Sequence, residues 1–61
     1  MRYKIQINEK LEGAKTRQDY ARRIVEGVQP GSREDVIQYL KEASILIEKA
    51  QELIEIERTD N

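Results

Sequence analysis

The side chains that come closest to a chemical site are three carboxylates near the C-terminal end of the chain. Glu48, Glu52 and Glu55 are spaced so that they would form one continuous ridge on a helix. Such a ridge can bind a hard cation such as Ca²⁺ or Mg²⁺, which prefers carboxylate oxygens. The same spacing is typical of a solvated helix face. We favour that interpretation, so no metal is predicted.

The residue types that most catalytic mechanisms need are missing. The chain has no His and no Cys, so the usual general base, the usual activated nucleophile and the softer metal ligands are absent. Ser32 and Ser44 have no evident base, and the three Gly residues do not follow the spacing of a phosphate-binding loop. The sequence therefore predicts a protein that is not an enzyme and has no cofactor.

The chain is short enough that its core must be marginal. It has 61 residues, which make one domain at most, and a domain of this size buries only about 60% of its unfolded surface. Small proteins usually add a disulfide, a metal or a partner chain, and only the partner chain remains here. We therefore expect a homodimer. Because no apolar run reaches about 18 residues and no signal-peptide core is evident, we expect a cytoplasmic protein.

Charge is distributed unevenly along the chain. Residues 1–29 carry seven basic and four acidic side chains, whereas residues 30–61 carry four basic and eight acidic ones. The first half could face an anion such as nucleic acid, and ordinary surface charge explains the same imbalance equally well.

The first predicted secondary-structure element is a segment in which apolar and polar residues alternate. In "MRYKIQIN" (1–8), apolar Tyr3, Ile5 and Ile7 alternate with polar residues, and a period of two predicts a strand with one buried face. The polar residues of this segment are Arg2, Lys4, Gln6 and Asn8.

A connector and a first helix are predicted next. Residues 9–15 contain Gly13, which disfavours a helix, and the sequence leaves them open as a loop, a helical extension or a second strand. Thr16 has the character of an N-cap, so the first helix is predicted over 16–27. Gly27 suits the left-handed residue at its end.

The turn that follows has strong local signals. Pro30 and Gly31 favour a turn, and Ser32 followed by Asp35 predicts a capping box at the start of a second helix. That helix is predicted over 32–58, because no Gly or Pro interrupts it.

The second helix carries a broad apolar stripe. Its apolar residues recur every seven residues over three heptads, which indicates packing along the whole helix. These positions are Val36, Ala43 and Ala50, then Tyr39, Leu46 and Leu53, then Leu40, Ile47 and Ile54. The two alanines would let a partner helix approach closely. Ile37, Ile45 and Ile56 fall outside the stripe and widen the apolar face beyond what the first helix can cover, which again favours a second copy.

The predicted fold is mainly α with one N-terminal strand, in the order β-α-α, and is consistent with an intertwined homodimer. The predicted segments of the single domain 1–61 are a strand at 1–8, a connector at 9–15, helices at 16–27 and 32–58, and a frayed tail at 59–61. The predicted core and dimer residues are Tyr3, Ile5, Ile7, Tyr20, Ile24, Val36, Tyr39, Leu40, Ala43, Leu46, Ile47, Ala50, Leu53 and Ile54.

Two stretches, "YKIQIN" (3–8) and "GSREDVIQYLKEA" (31–43), resemble the ribbon-helix-helix repressors of the Arc and MetJ type. The resemblance implies a homodimer whose paired strands enter the major groove of DNA. Base contacts would then come from Lys4, Gln6 and Asn8. Phosphate contacts would come from Arg2, Lys10, Arg17, Gly31, Ser32 and Arg33. The long connector, the long second helix and the acidic overall charge depart from the family pattern.

The sequence thus supports two function hypotheses. The first is a homodimeric DNA-binding transcriptional regulator. The second is a small non-enzymatic, dimeric protein-interaction module, such as a phage- or plasmid-type inhibitor or an antitoxin, that uses its long second helix to bind a partner protein. The surplus apolar residues of that helix favour the second hypothesis.

Overall fold

The molecule is a hairpin of two helices. Its structure is a computed structural model that describes residues 2–59, with side chains described for residues 2–57. Helix α1 runs Lys4–Val25 and helix α2 runs Arg33–Thr59, and residues 26–32 connect them. Over this described part of the chain, neither helix is long and apolar enough to cross a membrane.

The predicted N-terminal strand is wrong. Residues 2–59 contain no strand, and the alternating segment forms the first turns of α1. Tyr3 and Ile7 are four residues apart, so they share one helical face, and the Ile7 N–H donates to the Tyr3 carbonyl over 2.8 Å. Ile7 is buried, whereas Ile5, which a strand would place beside it, is 71% exposed. The fold is α-α rather than β-α-α, and the described residues supply no strand for an intertwined ribbon.

Residues 9–15, which the sequence left open, are helical, and the predicted helix start at Thr16 is wrong because α1 continues through both. Gly13 allows close packing instead of ending the helix: a Cβ there would lie 3.1 Å from Cδ1 of Leu46 on α2. Thr16 is not an N-cap. Its Oγ1 donates to the Glu12 carbonyl over 3.0 Å, as hydroxyls do within a helix.

The C-terminal end of α1 forms a complete Schellman motif. The Gly27 N–H donates to the Ile24 carbonyl over 3.1 Å, and the Val28 N–H donates to the Arg23 carbonyl over 3.0 Å. Gly27 has a φ of 80°, so the prediction of a left-handed residue here is confirmed. Helix α1 ends at Val25, two residues before the predicted boundary.

The N-terminal end of α2 forms the predicted capping box. The Asp35 N–H donates to Ser32 Oγ over 3.2 Å, and the Ser32 N–H donates to Asp35 Oδ2 over 3.0 Å. The helix begins at Arg33, next to its predicted start, and it extends to Thr59. Thr59 is therefore helical and not part of a tail, and the rest of the predicted tail, 60–61, lies outside the described residues.

The two helices run antiparallel with an even register. Moving one residue toward the C-terminus of α1 corresponds to moving one residue toward the N-terminus of α2. The cross-helix contacts that show this are Tyr3 with Glu57, Gly13 with Leu46, Arg17 with Glu42, and Tyr20 with Tyr39.

The seam between the helices is lined by small residues at heptad spacing. The buried hydrophobic residues are Ile7, Ala14 and Ala21 on α1 and Ala43 and Ala50 on α2. An alanine at every seventh position lets the two backbones approach closely, and the register places larger side chains of the partner helix opposite it. The hairpin therefore closes tightly while burying few large side chains.

The result is a single layer of two helices. Its principal extents are 47 × 16 × 11 Å, and its accessible surface is 4852 Å². A compact monomer of 7.2 kDa would expose about 4,100 Å². The outward faces of both helices are thus left open, and α2 carries the more apolar of the two.

Candidate protein-interaction surface

The outward face of α2 carries a cluster of exposed aliphatic side chains. Ile37, Leu40 and Ile45 are 43%, 46% and 51% exposed, respectively. Helix α1 does not cover them, because it packs on the alanine side of α2. This cluster includes two of the surplus isoleucines that the sequence placed outside the main stripe.

Five residues of this face enclose a shallow depression, here called the apolar hollow: Ile37, Leu40, Lys41, Ser44 and Ile45. Four of them follow the spacing i, i+3, i+4, i+7, which is the diamond of side chains that receives one knob in a coiled coil. Ser44 is the smallest of the five side chains, and Lys41 adds a positive charge to the rim of the hollow. The geometry suits one aliphatic side chain from another helix.

A second depression lies further along the same helix, here called the acidic hollow: Glu48, Gln51, Glu52, Glu55 and Ile56. Four of its residues repeat the diamond spacing eleven positions later. Eleven residues are about three turns, so the two hollows face directions within about 20° of each other. The three glutamates that the sequence predicted to form a ridge instead line a depression, and this depression lies next to the apolar hollow. In the described part of the chain, no group of three acidic residues is placed to hold a metal ion.

An ion pair between the helices borders the apolar hollow. Arg17 Nε donates to Glu42 Oε1 over 3.0 Å, and Arg17 also donates to the Gly13 carbonyl over 3.1 Å. Gln38 donates to the other Glu42 oxygen over 3.1 Å. The hydrogen bonds from Gln38 and Arg17 lower the pKa of Glu42. Ile45 lies beside this network, in a small cleft that it lines together with Arg17, Glu42 and Leu46.

The three predicted base-contacting residues lie on the first turns of α1. Lys4, Gln6 and Asn8 are all exposed. Lys4 and Asn8 share a side of the helix, but Gln6 lies about 200° around from Lys4. The structure therefore does not present the three side chains together, and the ribbon implied by the family resemblance has no strand among the described residues.

The predicted phosphate-contacting residues are dispersed over the molecule. Lys10 and Arg17 are half-buried along the seam, and Arg17 is engaged by Glu42. At one end of the hairpin lie the exposed Gly31 and Ser32 of the turn and Arg33, the first residue of α2, whereas Arg2 lies at the other end. In a molecule 47 Å long, these positions do not form one surface.

The predicted core residues divide into three groups. Buried are Ile7, Ala43 and Ala50. Half-buried are Tyr3, Ile24, Val36, Tyr39, Leu46, Ile47, Leu53 and Ile54. Exposed on the single hairpin are Ile5, Tyr20 and Leu40, and their assignment to a core or dimer contact stays a prediction. Sequence reasoning missed Ala14 and did not assign Ala21 to the core. The seven-residue spacing from Ile7 through both alanines was the signal that could have identified them.

We compared the chain with models of protein families, with curated proteins and with solved structures, and none of them matches.

Proposed function

We propose that this protein is a non-enzymatic protein-interaction module whose working surface is the outward face of α2. The observation that carries the proposal is the apolar hollow, which lies on the longer helix and is not covered by α1. Exposed aliphatic clusters rimmed by charged side chains are typical of sites that bind another protein. The alanine seam supports the proposal further, because a hairpin that buries few large side chains gains much from binding a partner.

The shape of the surface specifies the kind of partner. A diamond of four residues at i, i+3, i+4 and i+7 accepts a knob from a helix that lies along α2. A peptide that binds by adding a strand to a sheet would need an unpaired strand edge, and none exists in residues 2–59. The partner surface is therefore a helix with aliphatic side chains on one face.

The exposed apolar residues of α1 do not form an equivalent surface. Ile5 and Leu11 lie about 240° apart around the helix, and Leu11 and Val25 are separated along it by about 21 Å. Scattered apolar side chains of this kind are normal on any protein surface. They provide matched control positions for testing α2.

Site-specific photocrosslinking in cells that express the protein tests the proposal. A photoreactive amino acid at Ser44, in the apolar hollow, is compared with one at Gln18, which is exposed on α1. We expect covalent adducts with a protein from position 44 and few from position 18. Equal yields at the two positions, or no adduct from position 44, would contradict the proposal.

A further inference from the structure

We propose that the occupant of this surface is a second copy of the same chain, whose α2 lies antiparallel to the first and makes a four-helix dimer. This inference rests on the proposed function and names the partner of the same face. The evidence for it is that the two hollows of α2 complement each other in charge and in the placement of their aliphatic residues.

The two hollows are complementary in charge. The rim of the apolar hollow includes Lys41, whereas the acidic hollow carries Glu48, Glu52 and Glu55. If two copies of α2 cross antiparallel about a two-fold axis near residue 46, each apolar hollow faces the partner's acidic hollow. Each lysine then lies near opposite charge in both halves of the interface.

The aliphatic residues match in the same register. Ile37, at the outer end of the apolar hollow, comes within a turn of Ile56, at the outer end of the partner's acidic hollow. Ile45 lies near the axis, where it meets its own counterpart. One arrangement therefore satisfies both the charged and the aliphatic groups of the face.

The parallel arrangement is disfavoured by the same residues. It would place Lys41 beside the second Lys41 and would align the three glutamates of each acidic hollow with one another. Like charges brought together across an interface weaken it. The charge pattern thus selects the orientation of the two copies.

Light scattering on the purified full chain gives the first test, since the mass of one copy is 7.2 kDa. We expect twice that mass. Leu40→Glu places a charge in the apolar hollow and should shift the protein to a monomer, with circular dichroism reporting whether the helices persist. Ile5→Glu is the matched control on α1 and should leave the dimer intact.

A charge reversal tests the pairing without altering the aliphatic residues. Lys41→Glu should weaken dimerisation about tenfold, because two attractive contacts per dimer become repulsive. The double variant Lys41→Glu/Glu52→Lys should recover most of the loss. Absence of recovery, with both proteins helical, would argue against the proposed register.

A distance measurement tests the orientation on an unaltered apolar face. The chain has no Cys, so a spin label attached through Glu34→Cys reports a single distance within a dimer. Antiparallel pairing about residue 46 predicts a separation of about 36 Å, whereas parallel pairing predicts about 10 Å. The shorter distance, or a monomer at every concentration, would overturn the inference. An adduct between Ser44 and a different protein in cells, together with a monomer in solution, would retain the proposed function and reject self-pairing.

Discussion

At the scale of single residues, Gly27 makes the connection between the helices possible. Its φ of 80° is one that L side chains adopt only with strain, and no neighbouring atom crowds the space where a Cβ would be. The effect of a substitution there is therefore purely conformational. We expect Gly27→Ala to lower the free energy of unfolding by about 1 kcal/mol, measured by chemical denaturation. Gly27→Asn is the control, because Asn tolerates this region of φ better than Ala does. An equal loss for both variants would contradict the explanation.

The Arg17–Glu42 pair gives the hairpin a defined dependence on pH. Hydrogen bonds from Gln38 and Arg17 lower the pKa of Glu42 in the folded state below its ordinary value of 4.5. The unfolded chain therefore takes up a proton first as the pH falls. The contribution of Glu42 to stability is present above pH 4.5 and is lost as the pH falls through the lowered pKa.

We expect Glu42→Gln to flatten this acid limb of the curve of melting temperature against pH. The effect should be small, because both side chains are more than a third exposed. Glu9→Gln, which replaces an exposed carboxylate on α1, is the control and should leave the limb in place. Identical curves for wild type and Glu42→Gln would show that the pair does not contribute.

At the scale of helices, the seam limits the size of the side chains it can hold. Ala14 is 3% exposed and lies on the face of α1 that meets α2. A leucine there must push the helices apart or adopt a strained rotamer, at a cost of about 1–3 kcal/mol. Ala14→Leu should therefore lower the melting temperature, whereas Lys15→Leu, on the exposed side one residue later, should change it little. A stabilised Ala14→Leu protein would show that the helices are not closely packed.

The capping box sets the first residue of α2. Ser32→Ala removes the oxygen that accepts the Asp35 N–H, and we expect a loss of about 1 kcal/mol in the free energy of unfolding. Gln18→Ala is the control, because it shortens an exposed polar side chain on α1 that lies outside both the cap and the apolar hollow. Comparable losses for the two variants would count against a capping role.

The local signals in the sequence predicted what depends on neighbouring residues. The capping box at Ser32, the left-handed Gly27 and the course of α2 are all set by contacts within a few positions, so a single sequence reveals them. The surplus isoleucines also predicted that α2 would keep an open apolar face. The sequence did not show that Lys41 and Ser44 form a hollow together with Ile37; the structure of α2 was needed for that.

The first half of α1 was mispredicted for a physical reason. Tyr3, Ile5 and Ile7 alternate over too few residues to separate a strand from a helix, and Gly13 added a false break. The seven-residue repeat that holds α1 in place consists mainly of alanines, whose weak hydrophobicity gives little signal. The helical conformation of this segment is favoured by packing against α2. Such contacts join residues that are distant in sequence, so local patterns do not reveal them.

At the scale of the whole molecule, stability should depend on protein concentration. A dimer gains stability by mass action, so its melting temperature rises as the protein is concentrated. We expect this rise for the wild type and for Ile5→Glu, measured by circular dichroism over a wide concentration range. Leu40→Glu should melt at one temperature at every concentration. A wild-type melting temperature that does not vary with concentration would contradict self-association.

The antiparallel register also determines how the chain connectivity of the hairpin can be changed. The Tyr3 N–H donates to the Glu57 carboxylate, so the beginning of α1 and the end of α2 lie together at one pole, while Pro30 and Gly31 lie in the turn at the other. A short linker could join the adjacent ends, and the turn could be opened, to give a circular permutant with the same two helices in reverse order. In such a permutant the apolar hollow would be built from the N-terminal helix, and its geometry would be unchanged.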